Sequence, residues 1–135
     1  MIEESSRQTW RNLTWLPGAY AICRLAPTSP VPEAPPSGFF SLTRTETEVS
    51  IVCREEDAPP GARTEMGWKA FRVDGPIPFS VTGLLASIAA PLSDAEISLF
   101  AVATFDTDYA LIRGADAARA RRALEGAGFS FAGEL

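Results

Sequence analysis

The sequence predicts an α+β fold built from ferredoxin-like βαββαβ units. Three observations carry that prediction. The C-terminal half alternates apolar strand-like runs with two stretches of helical periodicity, in the order β, α, β, β, α, β. Each half contains two short apolar runs joined by an acidic turn that includes threonine. The N-terminal half has such strands but no helical stretch, so it reads as a trimmed copy of the unit fused to a complete C-terminal copy.

The expected organisation is an N-terminal arm over 1–17, a trimmed unit over 18–64 and a complete unit over 65–135. Residues 1–12 are polar and read as a loose arm, docked by Trp10 and Trp15. Residues 20–25 form a short strand. Pro27, Pro30, Pro32, Pro35 and Pro36 then fall within ten residues, a stiff connector with no room for an ordinary helix. Residues 39–45 and 48–54 are two strands around a tight turn. Residues 55–67, with Pro59-Pro60-Gly61 and several charges, are a linker.

Residues 68–74 are rich in aromatic and branched side chains and predict a strand. Gly75-Pro76-Ile77-Pro78 is a rigid turn. Val81, Leu84, Leu85, Ile88 and Leu92 follow helical spacing, and Ser80 or Thr82 can cap the helix start. Residues 97–104 are a nearly continuous apolar run, expected as a central strand. Asp106-Thr107 marks a turn and residues 108–113 the return strand. Asp116 can cap a second helix through Ala117, Ala120, Leu124 and Ala127, with Gly126 and Gly128 available to end it. Residues 129–131 add a last short strand. At an offset of 60, residues 45–52 lie over 105–112 and Phe40 over Phe100. Leu25 to Phe40 covers 15 positions where Asp74 to Phe100 covers 26, so the first copy's leading helix is missing or is only a turn. Two unrelated hairpins with similar turn chemistry are the competing reading of this match.

The chain has 135 residues, enough for one domain or two very small packed units. With 12 Lys+Arg against 17 Asp+Glu, its net charge is −5, which gives no general attraction for nucleic acid or an anionic membrane. The hydrophobic share of 46% suffices for a core. The absence of histidine removes His-based triads, His-ligated zinc and haem, and the commonest general base. No carboxylate pair or activated thiol stands out to replace it. No metal or cofactor is expected. Cys23 and Cys53 are expected as reduced thiols buried in strands. The acidic start, Met1-Ile2-Glu3-Glu4, does not resemble a signal peptide, and a cytoplasmic location is expected. Residues 75–93 carry no charge, but Pro76, Pro78, Pro91 and several hydroxyls argue against a membrane span.

The run from Gly75 to Ile88 (GPIPFSVTGLLASI) and the run from Ile97 to Ile112 (ISLFAVATFDTDYALI) resemble the tandem ACT-domain proteins. The small stand-alone bacterial members are the nearest in pattern, with the aspartokinase regulatory region and the CASTOR arginine sensors more distant. The resemblance covers roughly residues 18–130 and is specific between Trp68 and Arg113. It implies paired ACT units that bind a small amino acid at their interface and regulate a partner, with no catalytic activity. The trimmed first copy departs from a full tandem pair.

A free amino acid presents an ammonium and a carboxylate on one carbon. Its receptor needs an acceptor, donors and a partly dry pocket. The expected donors are the free amides at the first helix start, Ile77, Phe79, Ser80, Val81 and Thr82, with Gly83 beside them. On residues alone a helix N-terminus with Ser or Thr is an ordinary cap; the resemblance assigns ligand binding to this turn. The expected acceptor is Asp108, joined by the carbonyls of Thr104 and Phe105. In the arginine sensors the aspartate at the matching position contacts the ligand's amino group. The plainer reading makes Asp106 and Asp108 turn formers bound to their own backbone, and Asp106 stays with that reading. Glu48 aligns with Asp108 and suggests a second pocket. Phe79 and Phe105 flank the site. Arg119, Arg121 and Arg122 read as a solvated face. The expected function is therefore a non-enzymatic regulatory protein that holds an amino acid between ACT units, works as a homo-oligomer and acts on a protein partner. A ligand-free protein–protein interaction module of the same fold is the alternative.

Overall fold

The computed structural model describes residues 10–135; residues 1–9 of the expected arm lie outside the described residues. In chain order the elements are β1 (Asn12–Trp15), β2 (Tyr20–Leu25), β3 (Ser41–Arg44), β4 (Val49–Arg54), β5 (Arg63–Val73), α1 (Leu84–Asp94), β6 (Phe100–Ala103), β7 (Asp108–Arg113), α2 (Ala117–Gly126) and β8 (Ser130–Ala132). They divide into two compact units. The first is Gly18–Trp68; the second combines residues 10–17 with Lys69–Leu135.

The first unit orders its strands β3-β4-β2-β5, each pair antiparallel. Alternation along β2 and β4 turns Ala21, Cys23, Val49, Ile51 and Cys53 to one side, where they form a small core with Leu25, Phe40 and Leu42 packed on it. Both cysteines are free and buried. Burial, with Cys23 alongside, pushes the Cys53 thiol up to about 12. The proline-rich connector holds no helix, and a single 3-10 turn, Glu55–Asp57, follows β4. The expected linker over 55–67 is shorter than read. Its last part is the start of β5, where Arg63, Thr64 and Glu65 pair with Arg24, Cys23 and Ile22. These residues are too polar to read as a strand alone, and β2 supplies the ladder they need.

The second unit has the predicted α+β order, β5-α1-β6-β7-α2-β8, with one insertion. Its sheet runs β8-β1-β5-β7-β6. Strand β1 lies between the last and first strands of the βαββαβ unit, parallel to β8 and antiparallel to β5. Residues 12–15, expected as part of an arm, are therefore a sheet strand. Leu13 and Trp15 alternate inward and are buried, while Thr14, between them, donates its hydroxyl to Asp74 Oδ1 at 2.7 Å. Trp15 stacks on Phe131 at 4.9 Å and meets Phe71 edge-on at 5.4 Å. Ile88 and Leu92 of α1 and Ala120 and Leu124 of α2 close one face of the sheet over Phe71, Val73, Ala110 and Ile112. That burial is the main term holding the unit together.

Three further expectations change. Among the described residues strand β6 is an edge strand, paired with β7 alone. Its apolar run looked central because buried Ile97 and partly buried Leu99 feed the core from the connection before the strand. Helix α1 starts at Leu84 behind Gly83, whose φ of 77° suits a residue without Cβ; neither Ser80 nor Thr82 caps it. Asp116 occupies the position before α2 but makes no capping bond; its carboxylate takes Arg119 Nη2 at 3.1 Å instead.

The two hairpins match in register at an offset of 59. Arg44 pairs with Val49 as Ala103 pairs with Asp108, and Ser41 with Val52 as Phe100 with Leu111. The offset of 60 read from the sequence is one residue out, and one residue exchanges the two faces of a strand. Glu48 thus corresponds to Thr107, and Asp108 to Val49. The equivalence that suggested a second pocket at Glu48 does not hold. No helix among the described residues is long and apolar enough to cross a membrane.

Candidate functional site

The site lies at one end of the second unit, where β5 ends, α1 begins and β6 turns into β7. Threonine chemistry closes the β6–β7 turn. Thr104 donates its N–H (2.8 Å) and its hydroxyl (2.9 Å) to the Thr107 carbonyl, and its hydroxyl accepts the Thr107 N–H at 3.2 Å. Thr107 is buried and donates its own hydroxyl to the Val73 carbonyl at 2.6 Å, which pins the turn to the end of β5. The loop after β5 is tied to the same turn by the Ile77 N–H, which donates to the Asp106 carbonyl at 2.7 Å. Gly75 lies at this close approach: a Cβ there would meet the Asp106 carbonyl oxygen at 3.1 Å and the Thr107 Cβ at 3.2 Å, so the turn would have to give slightly to admit one.

Asp108 opens β7. Alternation puts it on the face shared by Ala110 and Ile112, the face that α1 and α2 cover. It is partly buried, and among the described residues its carboxylate has no hydrogen-bond or salt-bridge partner. Burial raises its pKa, with no opposing charge to hold it down. The carbonyls of Thr104 and Phe105 accept no hydrogen bond among the described residues. Two backbone carbonyls and one carboxylate, all acceptors, therefore sit within five residues of chain.

The expected donors divide. The Ile77 amide is spent on Asp106, and the Val81 amide donates to the Pro78 carbonyl at 3.1 Å. The Phe79, Ser80 and Thr82 amides have no partner among the described residues. The first turn of α1 adds donors that the sequence reading placed too early. The bond from Ser87 N–H to the Gly83 carbonyl, at 3.0 Å, opens the helix and leaves the amides of Leu84, Leu85 and Ala86 free. Phe79 and Phe105 are 76% and 79% exposed and meet edge to face, centroids 5.0 Å apart. They join the loop before α1 to the β6–β7 turn.

A cleft of about 390 Å³ occupies the opposite face, lined by Arg72, Asp74, Gly75, Pro76, Thr104, Asp106, Thr107 and Tyr109. Only Thr104 of these was an expected site residue. Arg72 and Asp74 flank inward-facing Val73, and Tyr109 follows Asp108, so all three project away from the helices.

The family described as the ACT domain matches residues 63–126, from β5 through α2. Residues 63–126 form an ACT domain. Another family, described as an N-terminal domain, matches residues 18–60. The human cytosolic arginine sensor for mTORC1 subunit 1 is 33% identical over 89 residues, covering 60% of this chain and 27% of the sensor. This ACT-domain chain thus spans about a quarter of that relative. A crystal structure of an Agrobacterium tumefaciens protein is 39% identical, with a TM-score of 0.84 over 92% of this chain and 93% of that one. The regulatory subunit of aspartate kinase from Thermus thermophilus shares the fold at 13% identity, with a TM-score of 0.54 over 82% and 92% of the two chains. The ACT domain holds every expected site residue except Glu48.

Proposed function

We propose that this protein is a non-enzymatic regulator whose ACT domain binds a free amino acid at the Asp108 end of its sheet. The observation that carries the reading is the partly buried, unpartnered carboxylate of Asp108, next to two unused carbonyls and one loop away from a row of unused amides. Ammonium on Asp108, Thr104 and Phe105, with carboxylate on the amides of Phe79, Ser80, Thr82 and the first turn of α1, satisfies both sets at once. Such charge-assisted bonds gain weight where the ligand displaces water. Ile77 and Val81 act as framework, since their amides are already used. The arginine sensor and the aspartate kinase regulatory subunit support amino-acid regulation by their names, and the sensor's name supports a cytosolic location. Binding would alter contacts with a protein partner. Strand β6, at the edge of the sheet among the described residues, supports assembly into a homo-oligomer.

The test is a thermal-shift screen against the twenty amino acids, repeated on Asp108→Ala. At a hundredfold excess over Kd a ligand adds about 2.7 kcal/mol, a shift of several degrees. One responder in the native protein and none in Asp108→Ala, with unchanged unliganded Tm, is the expected result. Equal response in both proteins takes Asp108 out of the site. The exposed Phe79–Phe105 pair favours a second reading, a ligand-free interaction module. A flat panel, together with loss of a protein partner on Phe79→Ser, would favour it.

A further inference from the structure

The cleft on the helix-free face of the second unit is absent from the reading above, which uses the other face of β7. Its polar groups are held and only partly used. Asp74 is fixed by the Thr14 hydroxyl at 2.7 Å, on Oδ1. Arg72 reaches the same oxygen through one nitrogen at 3.4 Å. That is a long, single-point contact for a group that can pair through two parallel N–H donors. Most of the guanidinium's donors therefore have no partner among the described residues. Across the cleft the Asp106 carboxylate has no partner among the described residues, although its backbone carbonyl is tied to Ile77. Tyr109 and Pro76 supply the less polar walls. The cleft thus offers a donor fork, a free carboxylate and a fixed carboxylate within a volume at the small-metabolite end of the range for binding sites.

We propose that this cleft is a second ligand site, for a small zwitterion carrying a carboxylate and an ammonium. Arg72 takes the carboxylate by a two-point contact that replaces its weak hold on Asp74. Asp106 takes the ammonium, and Asp74, still held by Thr14, stays as the fixed acceptor beside it. A simple anion satisfies only Arg72 and meets two carboxylates. A simple amine leaves the fork unused. The site shares the 104–107 turn with Asp108 but none of its side-chain chemistry, so the two sites can fail separately.

The experiment is amide-resolved NMR of the full chain titrated to about 10 mM, a range that reaches millimolar affinity, with each of three probes: glycine, glycinamide and acetate. Glycine is expected to shift the amides of Arg72, Gly75 and Tyr109, and glycinamide and acetate to shift them far less. The glycine response should persist in Asp108→Ala and weaken roughly tenfold in Arg72→Gln, the loss expected of one charge-assisted contact. Arg72→Lys, which keeps the charge without the fork, should weaken it less. Arg72 is surface-lying, and an unchanged amide spectrum away from the cleft checks that each variant is folded. A response that vanishes in Asp108→Ala but survives in Arg72→Gln overturns the cleft site and supports the one on the helix face. Equal responses to glycine and acetate, or no shift at these amides, overturn the zwitterion assignment.

Discussion

Thr45 closes the hairpin of the first unit by donating its N–H to the Glu48 carbonyl at 2.9 Å, while its hydroxyl accepts the Thr47 and Glu48 amides at 3.1 Å each. Thr104 closes the hairpin of the second unit with the same backbone bond and a hydroxyl turned to the same purpose. The residue that starts the return strand separates them. In the first unit it is Val49, fully buried in the core. In the second it is Asp108, partly buried and unpartnered. The acidic turn is thus structural in both units, and the two differ at the position just beyond it. The first unit, without helices, fills that position with hydrocarbon. The second leaves a partly buried carboxylate there.

Exchanging the two residues tests this most severely. Val49→Asp places a charge with no partner at a fully buried position. It should cost about 3–5 kcal/mol, read as a lowered urea midpoint. The reverse change, Asp108→Val, should keep or raise stability, because it removes a poorly solvated carboxylate, while ending the amino-acid response. If Val49→Asp is tolerated and Asp108→Val unfolds the protein, the two positions are not equivalent and the register comparison fails.

The adjacent position gives the next largest effect. Thr107 is buried and its hydroxyl holds the Val73 carbonyl at 2.6 Å. Its counterpart, Glu48, sits at a more open hairpin position. Thr107→Val should lose about 1–2 kcal/mol and weaken ligand binding, since the turn that carries Thr104, Phe105 and Asp108 loses its pin. Glu48→Val should stay within about 0.5 kcal/mol. Equal losses by chemical unfolding would mean that the turns are held alike, with no special anchoring of the site.

Elements with a clean period were legible in the sequence: β2, β4, β7 and both helices fall within a few residues of their expected limits. The misplaced elements depend on partners far along the chain. Strand β1 has four residues, too few for a period, and exists because Val73 and Phe131 offer ladders on its two sides. The polar start of β5 is a strand because β2 pairs with it. The α1 start was misjudged because Ser80 and Thr82 resemble caps, while the turn closed by Val81 and Pro78 delays the helix to Gly83. Asp108 was legible as an acidic residue at the head of an apolar strand. The cleft was not. Arg72, Asp74, Asp106 and Tyr109 each look like ordinary surface residues, and only the placement of β5 against β7 gathers them.

The smallest expected effect is a pH dependence that separates a carboxylate in a site from one in solvent. Burial raises the Asp108 pKa above its ordinary 3.8. Between that value and the raised one, the folded chain binds more protons than the unfolded chain, so the contribution of Asp108 to stability falls as pH rises through the window and is level above it. Urea midpoints measured from about pH 4 to about pH 7 should show a slight downward component in the native protein that is missing in Asp108→Asn. A bound ammonium favours the ionised form, so saturating amino acid should remove the same component, and its affinity should rise with pH over the same window. Val49 cannot titrate, so the matching position of the first hairpin contributes no such component. A slope that survives in Asp108→Asn would assign the titration to another carboxylate and leave Asp108 as solvated as any residue in a turn.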